Sequence, residues 1–439
     1  MIKQLRKKLG KGKTGRRSMV NIGLKFGGIL VSYMFTMMVT NLFGADVYGS
    51  FTIGFVVISL VSMLSTFGLG SALLKFIASE DGENNNAAIK NLFLSAYSIV
   101  GLASVLAAVL VYLGADSIAT KIFQKPELSE ILRIAAIGIV PTALLNVNSQ
   151  ALRGAERIEA HMFFEHVSRY FLPLALIPVL AQSWNGSHLV ISVFVGCLWI
   201  LWLISSIYYL RVSGFWISKR EEKAVLRTLM VVALPLILAK SSGFLKNWSD
   251  TMIIGSYLDT DQTGIYNVVI RISKLLAIPL TAINAMQAPR IAKLFAKDDM
   301  PGLRAYIRSS TQLIVGLTMP GALLLLIFPQ FFLGMFGTEF ISASHILMII
   351  ASGYVINALA GSVGLLLQMT GHEKQYMAIT MITLATSIGL NFILIPRMGI
   401  EGAAITTVIS QILFNGSAAI YAAARVKVVT VFLPWKLKG

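Results

Sequence analysis

The sequence predicts an all-α polytopic membrane protein of twelve transmembrane helices in two parallel six-helix lobes, and three observations lead there. Its 439 residues are 56% hydrophobic and only 13% charged, whereas soluble domains carry about a quarter charged residues. The apolar stretches run about 20 to 25 residues, the length of helix that crosses a hydrocarbon core of roughly 30 Å and far longer than a barrel strand. Backbone in lipid must close its own hydrogen bonds, which leaves a helical bundle. Finally, the chain reads as one unit written twice. At an offset of 215, Lys240-Ser-Ser-Gly243 falls on Lys25-Phe-Gly-Gly28, Asp261 on Asp46 and Gly264 on Gly49.

In order along the chain, residues 1–17 hold eight Lys or Arg and almost nothing apolar, a basic cytoplasmic segment. Helix 1 spans about 19–43, too long for the apolar core of a signal peptide and without a convincing small-residue cleavage site, so it is expected to be retained. Helix 2 spans about 51–78, helix 3 about 87–114, helix 4 about 130–152, helix 5 about 158–182 and helix 6 about 189–211. These six form an N-lobe, 18–211. The polar run Lys219-Arg220-Glu221-Glu222-Lys223 marks a cytoplasmic linker, 212–227. Helices 7 to 12 fall near 228–258, 264–285, 308–333, 344–369, 376–396 and 402–424, giving a C-lobe, 228–424, and a cytoplasmic tail, 425–439. The repeat continues through both lobes. Gly154-x-Glu156-Arg157 matches Gly371-x-Glu373-Lys374, and Leu176-Ile177-Pro178 matches Leu394-Ile395-Pro396. An even number of helices per copy brings both copies in from the same side, so the repeats are parallel and frame a cavity between two lobes.

Topology follows from the bias of Lys and Arg toward cytoplasmic loops. With the N-terminus inside, the inner segments collect Arg153, Arg157, Arg290, Lys293, Lys297, Arg304 and Lys374, while the outer loops hold Lys121, Lys125 and Arg397. Both termini are therefore expected in the cytoplasm, in a multi-pass protein of the cell (inner) membrane. The net charge of +17 raises nucleic acid as a partner, but no soluble basic domain exists to bind it. The single cysteine, Cys197, excludes an intrachain disulfide and a thiolate metal cluster. No HExxH, GxSxG or Walker A sequence is present; neither catalytic residues nor a cofactor is expected.

The residues resemble the polysaccharide-transporter branch of the multidrug/oligosaccharidyl-lipid/polysaccharide exporter superfamily, the O-antigen-type lipid-linked oligosaccharide flippases. The resemblance covers essentially the whole chain. It is carried by Gly44-Ala-Asp-Val-Tyr-Gly49, Phe67-Gly-Leu-Gly-Ser-Ala-Leu-Leu-Lys-Phe-Ile-Ala78, Gln368-Met-Thr-Gly-His-Glu-Lys374 and Leu390-Asn-Phe-Ile-Leu-Ile-Pro396 followed by Gly399-Ile-Glu-Gly-Ala-Ala404. The resemblance implies a V-shaped, exporter-like pair of lobes that alternates between inward and outward openings. It further implies transport of isoprenoid (undecaprenyl-type) pyrophosphate-linked oligosaccharide to the outer face, for polysaccharide or O-antigen assembly, beside polysaccharide assembly proteins. Lipid II flippases of the superfamily usually carry two further helices, which counts against that branch. A multidrug or cation antiporter of the same superfamily remains the alternative, and a membrane polysaccharide polymerase or acyltransferase a more distant one.

Ionisable residues inside the membrane identify the candidate site, because each costs roughly 2.5 to 3.5 kcal/mol near the bilayer centre. Lys25 and Lys240 each lie roughly 25 Å below the outer end of their helix at 1.5 Å per residue. Two readings stand: they snorkel to the cytoplasmic interface, or they grip a diphosphate as equivalent cations on equivalent helices. By depth along antiparallel helices 7 and 8, Asp250 matches Arg271, and Lys246 matches Lys274. One carboxylate thus faces three cations, either as a structural ion-pair cluster or as a ladder for an anion. Lys25, Lys240, Lys246, Arg271 and Lys274 are the candidate substrate-binding residues, expected to share one solvent-filled space between the lobes. On helix 5, His161, Glu165 and Arg169 repeat at i, i+4, i+8 beside His166; together with Asp250 they form either structural pairs or a route for a coupling proton or sodium ion.

Overall fold

The computed structural model describes residues 13–80, 86–182, 188–213 and 225–432. The predicted basic segment and linker lie largely outside these residues, as does the end of the tail. All the regular secondary structure among the described residues is helical. Ten helices among the described residues are long and apolar enough to cross a membrane, and the chain is a multi-pass membrane protein. It divides into two compact units, Met1–Phe244 and Leu245–Gly439.

The first unit holds α1 (Lys13–Ser65), α2 (Leu69–Glu80), α3 (Asn86–Ser117), α4 (Leu128–Gly154), α5 (Ile158–Met162), α6 (Ser168–Leu180), α7 (Leu189–Ser213) and the start of α8 (Val225–Tyr257). Helices 1 and 2, expected as separate, run through α1 with one non-helical residue, Gly44, at φ 81° and ψ −178°. That conformation is open essentially to glycine alone. The predicted loop at 44–49 contracts to this single residue. The chain doubles back there: the rings of Phe35 and Phe51 lie 5.4 Å apart, where a straight helix would separate them by about 24 Å. Phe55, Tyr170 and Phe194 complete the aromatic cluster that ties both limbs of α1 to α6 and α7. At the centre runs α4, buried along most of its length and packed against α1, α2, α3 and α7.

Helix 2 was expected to continue to Ala78, but it breaks at Phe67 and Gly68, both at positive φ. The reason is a close approach: a Cβ on Gly68 would lie 2.5 Å from the carbonyl oxygen of Ala233 on α8. Helix 5 is likewise interrupted, by a π-helical turn at Phe163–Val167 between α5 and α6.

The second unit holds the rest of α8, then α9 (Thr260–Lys274), α10 (Ile278–Ala296), α11 (Met300–Ile327), α12 (Pro329–Gly334), α13 (Ser344–Ala360), α14 (Val363–Met369), α15 (Glu373–Met398) and α16 (Ile400–Tyr421). Predicted helix 10 is split into α13 and α14 by Gly361, at φ 67°, where Thr311 presses against the backbone and leaves no room for a Cβ. Ile291, Ile307, Leu366, Leu367 and Ala418 form a buried core under α10, α11, α14 and α16. The ten apolar helices omit α8, which carries Lys240, Lys246 and Asp250 in its length.

Glycine at 68 is thus required by φ and by space, whereas a Cβ on Gly196, within α7, meets nothing within 4 Å. Gly68→Ala is expected to lose roughly 1 to 2 kcal/mol from the left-handed conformation alone, read as a lower melting temperature in detergent. Gly196→Ala should be neutral or slightly stabilising. Equal melting temperatures for the two variants would contradict the close approach at Ala233.

Candidate functional site

In the second unit the end of α8, α9, α13, α15 and α16 surround a polar cavity of about 130 Å³ lined by Lys246, Asp250 and Lys274. The predicted depth match of Lys246 and Lys274 therefore places both at one cavity. Among the described residues, Asp250 supplies its only carboxylate. Its hydrogen bond comes from a residue that sequence reasoning missed: the buried Tyr266 hydroxyl on α9 donates to Asp250 Oδ2 at 2.8 Å and lies 3.3 Å from Thr407 Oγ1. The signal was there, because Asp250 and Tyr266 stand at nearly equal distances from the turn at Leu258 and Asp259, whereas Arg271 stands about one turn farther along α9. Arg271 does not line the cavity but stands one turn before Lys274, close enough for the two charges to interact. Lys246 Nζ lies 4.9 Å from the centre of the Phe414 ring, a cation–π contact that holds the ammonium while leaving its hydrogens available.

The wall opposite the lysines is hydroxyl and amide: Thr380, Thr383, Ser387, Ser410 and Gln411. Thr383 Oγ1 and Ser410 Oγ are buried and lack a hydrogen-bond partner. Buried polar atoms without partners are uncommon and costly, and two hydroxyls beside two lysines in one cavity can all donate to an oxygen-rich anion. Phosphate and sugar oxygens both meet that description.

In the first unit the helix 5 residues lie on the π-turn and its flanks. The Arg169 guanidinium is 3.7 Å from Glu165 Oε2, so the predicted pairing is present. Ser149, on α4, joins it: its hydroxyl donates to Glu165 Oε2 at 3.3 Å and lies 2.7 Å from His161 Nδ1, which is also 3.1 Å from the Ser149 carbonyl oxygen. The Ser149 hydroxyl thus links His161 Nδ1 with Glu165 Oε2. The polar run Asn146-Val-Asn-Ser149 inside an apolar helix was the sequence signal for this partner. Lys240 lies within electrostatic reach of Glu165, and Lys25 within reach of His166. Gly28, one turn past Lys25, lets α1 touch the π-turn, since a Cβ there would stand 2.7 Å from the His166 carbonyl oxygen. The five cations are thus distributed as Lys25 and Lys240 in the first unit, and Lys246, Arg271 and Lys274 in the second.

Comparisons with known proteins bear on the family and the fold. The model of a family described as "Polysaccharide biosynthesis protein" matches residues 38–345. The chain belongs to that family. The probable flippase AglR of Haloferax volcanii is 23% identical over 414 residues, covering 91% of this chain and 82% of that protein. The probable low-salt glycan biosynthesis flippase Agl15 of the same organism is 26% identical over 175 residues, 40% of this chain and 37% of that relative's length. Among solved structures, an inward-facing multidrug resistance MATE family transporter matches with a TM-score of 0.71 at 14% identity, over 93% of this chain and 98% of its own. The lipid II flippase MurJ, inward closed, matches with a TM-score of 0.69 at 14% identity, over 94% of this chain and 87% of its own. These likenesses show the fold alone, a helical membrane fold like that of the MATE transporter and MurJ.

Removing the Tyr266 hydroxyl should leave Asp250 facing lysines without its donor. Tyr266→Phe is expected to cost about 1.5 to 3 kcal/mol, measured by thermal unfolding. In combination with Asp250→Asn the loss should be clearly less than the sum of the two single losses; additive losses would show that the pair is not coupled.

Proposed function

We propose that this protein is a flippase that carries isoprenoid pyrophosphate-linked oligosaccharide from the inner to the outer face of the cell membrane by alternating access. The observation that supports this most is the cavity in the second unit, with two lysines, one tyrosine-held carboxylate and two unpartnered hydroxyls. An exporter of organic cations would need excess carboxylate, and this cavity has excess ammonium. AglR, Agl15 and MurJ are all named as flippases, which supports the same reading. The isoprenoid and its diphosphate are the finer part of the proposal, suggested by the anion-binding character of the site.

In this reading α8 is a true membrane crossing in spite of its charges and α1 counts as two, which gives twelve crossings with both termini cytoplasmic. Lys25 and Lys240 meet the diphosphate, and Lys246, Arg271 and Lys274 receive it. The His161–Ser149–Glu165 chain, beside Arg169 and Lys240, is the proposed place for a coupling proton, with sodium as the other candidate ion. The π-turn fits this role, since such turns recur at functional sites. Polysaccharide assembly proteins would take the product.

Lys25→Ala and Lys240→Ala should each slow flipping of a lipid-linked oligosaccharide in proteoliposomes by roughly tenfold or more, the value of one charge-assisted bond, with the double variant slowest. Lys→Arg at either position should retain part of the activity. Wild-type rates in the alanine variants would return both lysines to the snorkelling reading. A second assay tests coupling: Glu165→Gln should abolish stimulation by an imposed pH or sodium gradient. If wild-type transport ignores both gradients and Glu165→Gln is silent, the cluster is structural.

A further inference from the structure

A second basic cavity lies in the second unit, away from the residues above. Its volume is about 430 Å³, and it is lined by Arg304, Arg308, Thr311, Lys427, Thr430 and neighbours. Arg304 and Arg308 stand one turn apart on the first turns of α11, followed on the same face by Thr311. The other wall is a strap of chain after α16. A π-helical turn, Ala422–Val426, ends at Lys427, whose left-handed conformation (φ 59°) redirects the chain. Arg304 Nε donates to the Lys427 carbonyl oxygen at 2.8 Å, Thr311 Oγ1 donates to that of Thr430 at 3.1 Å, and the Phe432 amide donates to that of Leu359 at 2.8 Å. These bonds fix the strap against α11 and α13.

Three features of the cavity point to a ligand. Among the described residues three cations line it and no carboxylate does. Thr430 is 2% exposed, yet its Oγ1 has no hydrogen-bond partner. Beside the cations the strap turns Val429 and Val431 outward, 55% and 39% exposed. Cationic and hydroxyl donors in a hollow next to an apolar rim match a phosphate headgroup and its acyl or isoprenyl chains. The position at the start of α11, a helix long and apolar enough to cross a membrane, sets the hollow at headgroup level.

We infer that this cavity binds the headgroup of an anionic membrane phospholipid, with Arg308, Lys427 and Thr430 contacting the phosphate and Val429 and Val431 contacting the chains. Basic pockets on the cytoplasmic side of helical membrane proteins recognise such headgroups. The bound lipid would clamp the strap to α11.

The test uses the full-length protein in non-ionic detergent, titrated with phosphatidylglycerol, phosphatidylcholine or inorganic pyrophosphate while melting temperature is read and retained lipid is counted by native mass spectrometry. Phosphatidylglycerol should raise the melting temperature and remain bound, and phosphatidylcholine should do neither. Arg308→Gln and Lys427→Gln should each weaken the half-saturating concentration roughly fivefold, the usual worth of one cation at an anionic surface. Arg308→Lys should restore most of the loss, which separates binding from misfolding, and Lys427 is exposed enough for its variant to fold. Equal effects of the two lipids, or unchanged titrations in both glutamine variants, would overturn the inference. Saturation by pyrophosphate at the concentration effective for the lipid would overturn it too, assigning the hollow to a free phosphate compound.

Discussion

An ammonium group held at membrane depth must find an acceptor or water, and this constraint bears on the charged cluster of each unit. Lys246 and Lys274 share one cavity with a single carboxylate, and that carboxylate already accepts from Tyr266. Lys246 spends its charge partly on the face of Phe414. The polar wall of Thr383 and Ser410, with hydroxyls lacking partners, is what an anion would complete. In the first unit the balance is closer, because Glu165 is met by Arg169, by Ser149 and by the field of Lys240. One half is set up to hold a carboxylate and the other is left short of one.

Much of this was legible in the residues because helices report depth through spacing. The i, i+4 step from Glu165 to Arg169 survives as a bridge, and the depth match of Lys246 with Lys274 survives as shared lining. What the spacing could not show was which partner wins at a given depth. Because α9 starts at Thr260 and not near 264, Tyr266 stands level with Asp250 and Arg271 more than a turn deeper, and the tyrosine is the residue bonded to Asp250. The π-turn at Phe163–Val167 was also beyond reach, since one inserted residue changes which side chains align without changing the composition. Gly44 and Gly361 were visible as glycines, but the contraction of an expected loop to a single residue at 44 needs the aromatic cluster around Phe35 and Phe51 to be known. The strap after α16 left no periodic trace at all, because it is held by backbone carbonyls.

The likeness to a MATE transporter and to MurJ at 14% identity fixes the architecture and leaves the cargo open. Proteins of this architecture differ in the charges they place in their cavities, so cargo is decided by side chains that a fold comparison does not see. Here the family membership and the cationic cavity point the same way.

The most direct measurement is protection of the cavity by its cargo. In a Cys197→Ala background, Ser387→Cys places one thiol on the cavity wall, where a small charged thiol reagent in proteoliposomes should label it. An oligosaccharide linked through diphosphate to an isoprenoid should slow that labelling, and an organic cation such as a rhodamine dye should leave it unchanged. Protection by the cation with none by the lipid-linked sugar would contradict an anion-carrying cavity and return the protein to the multidrug class.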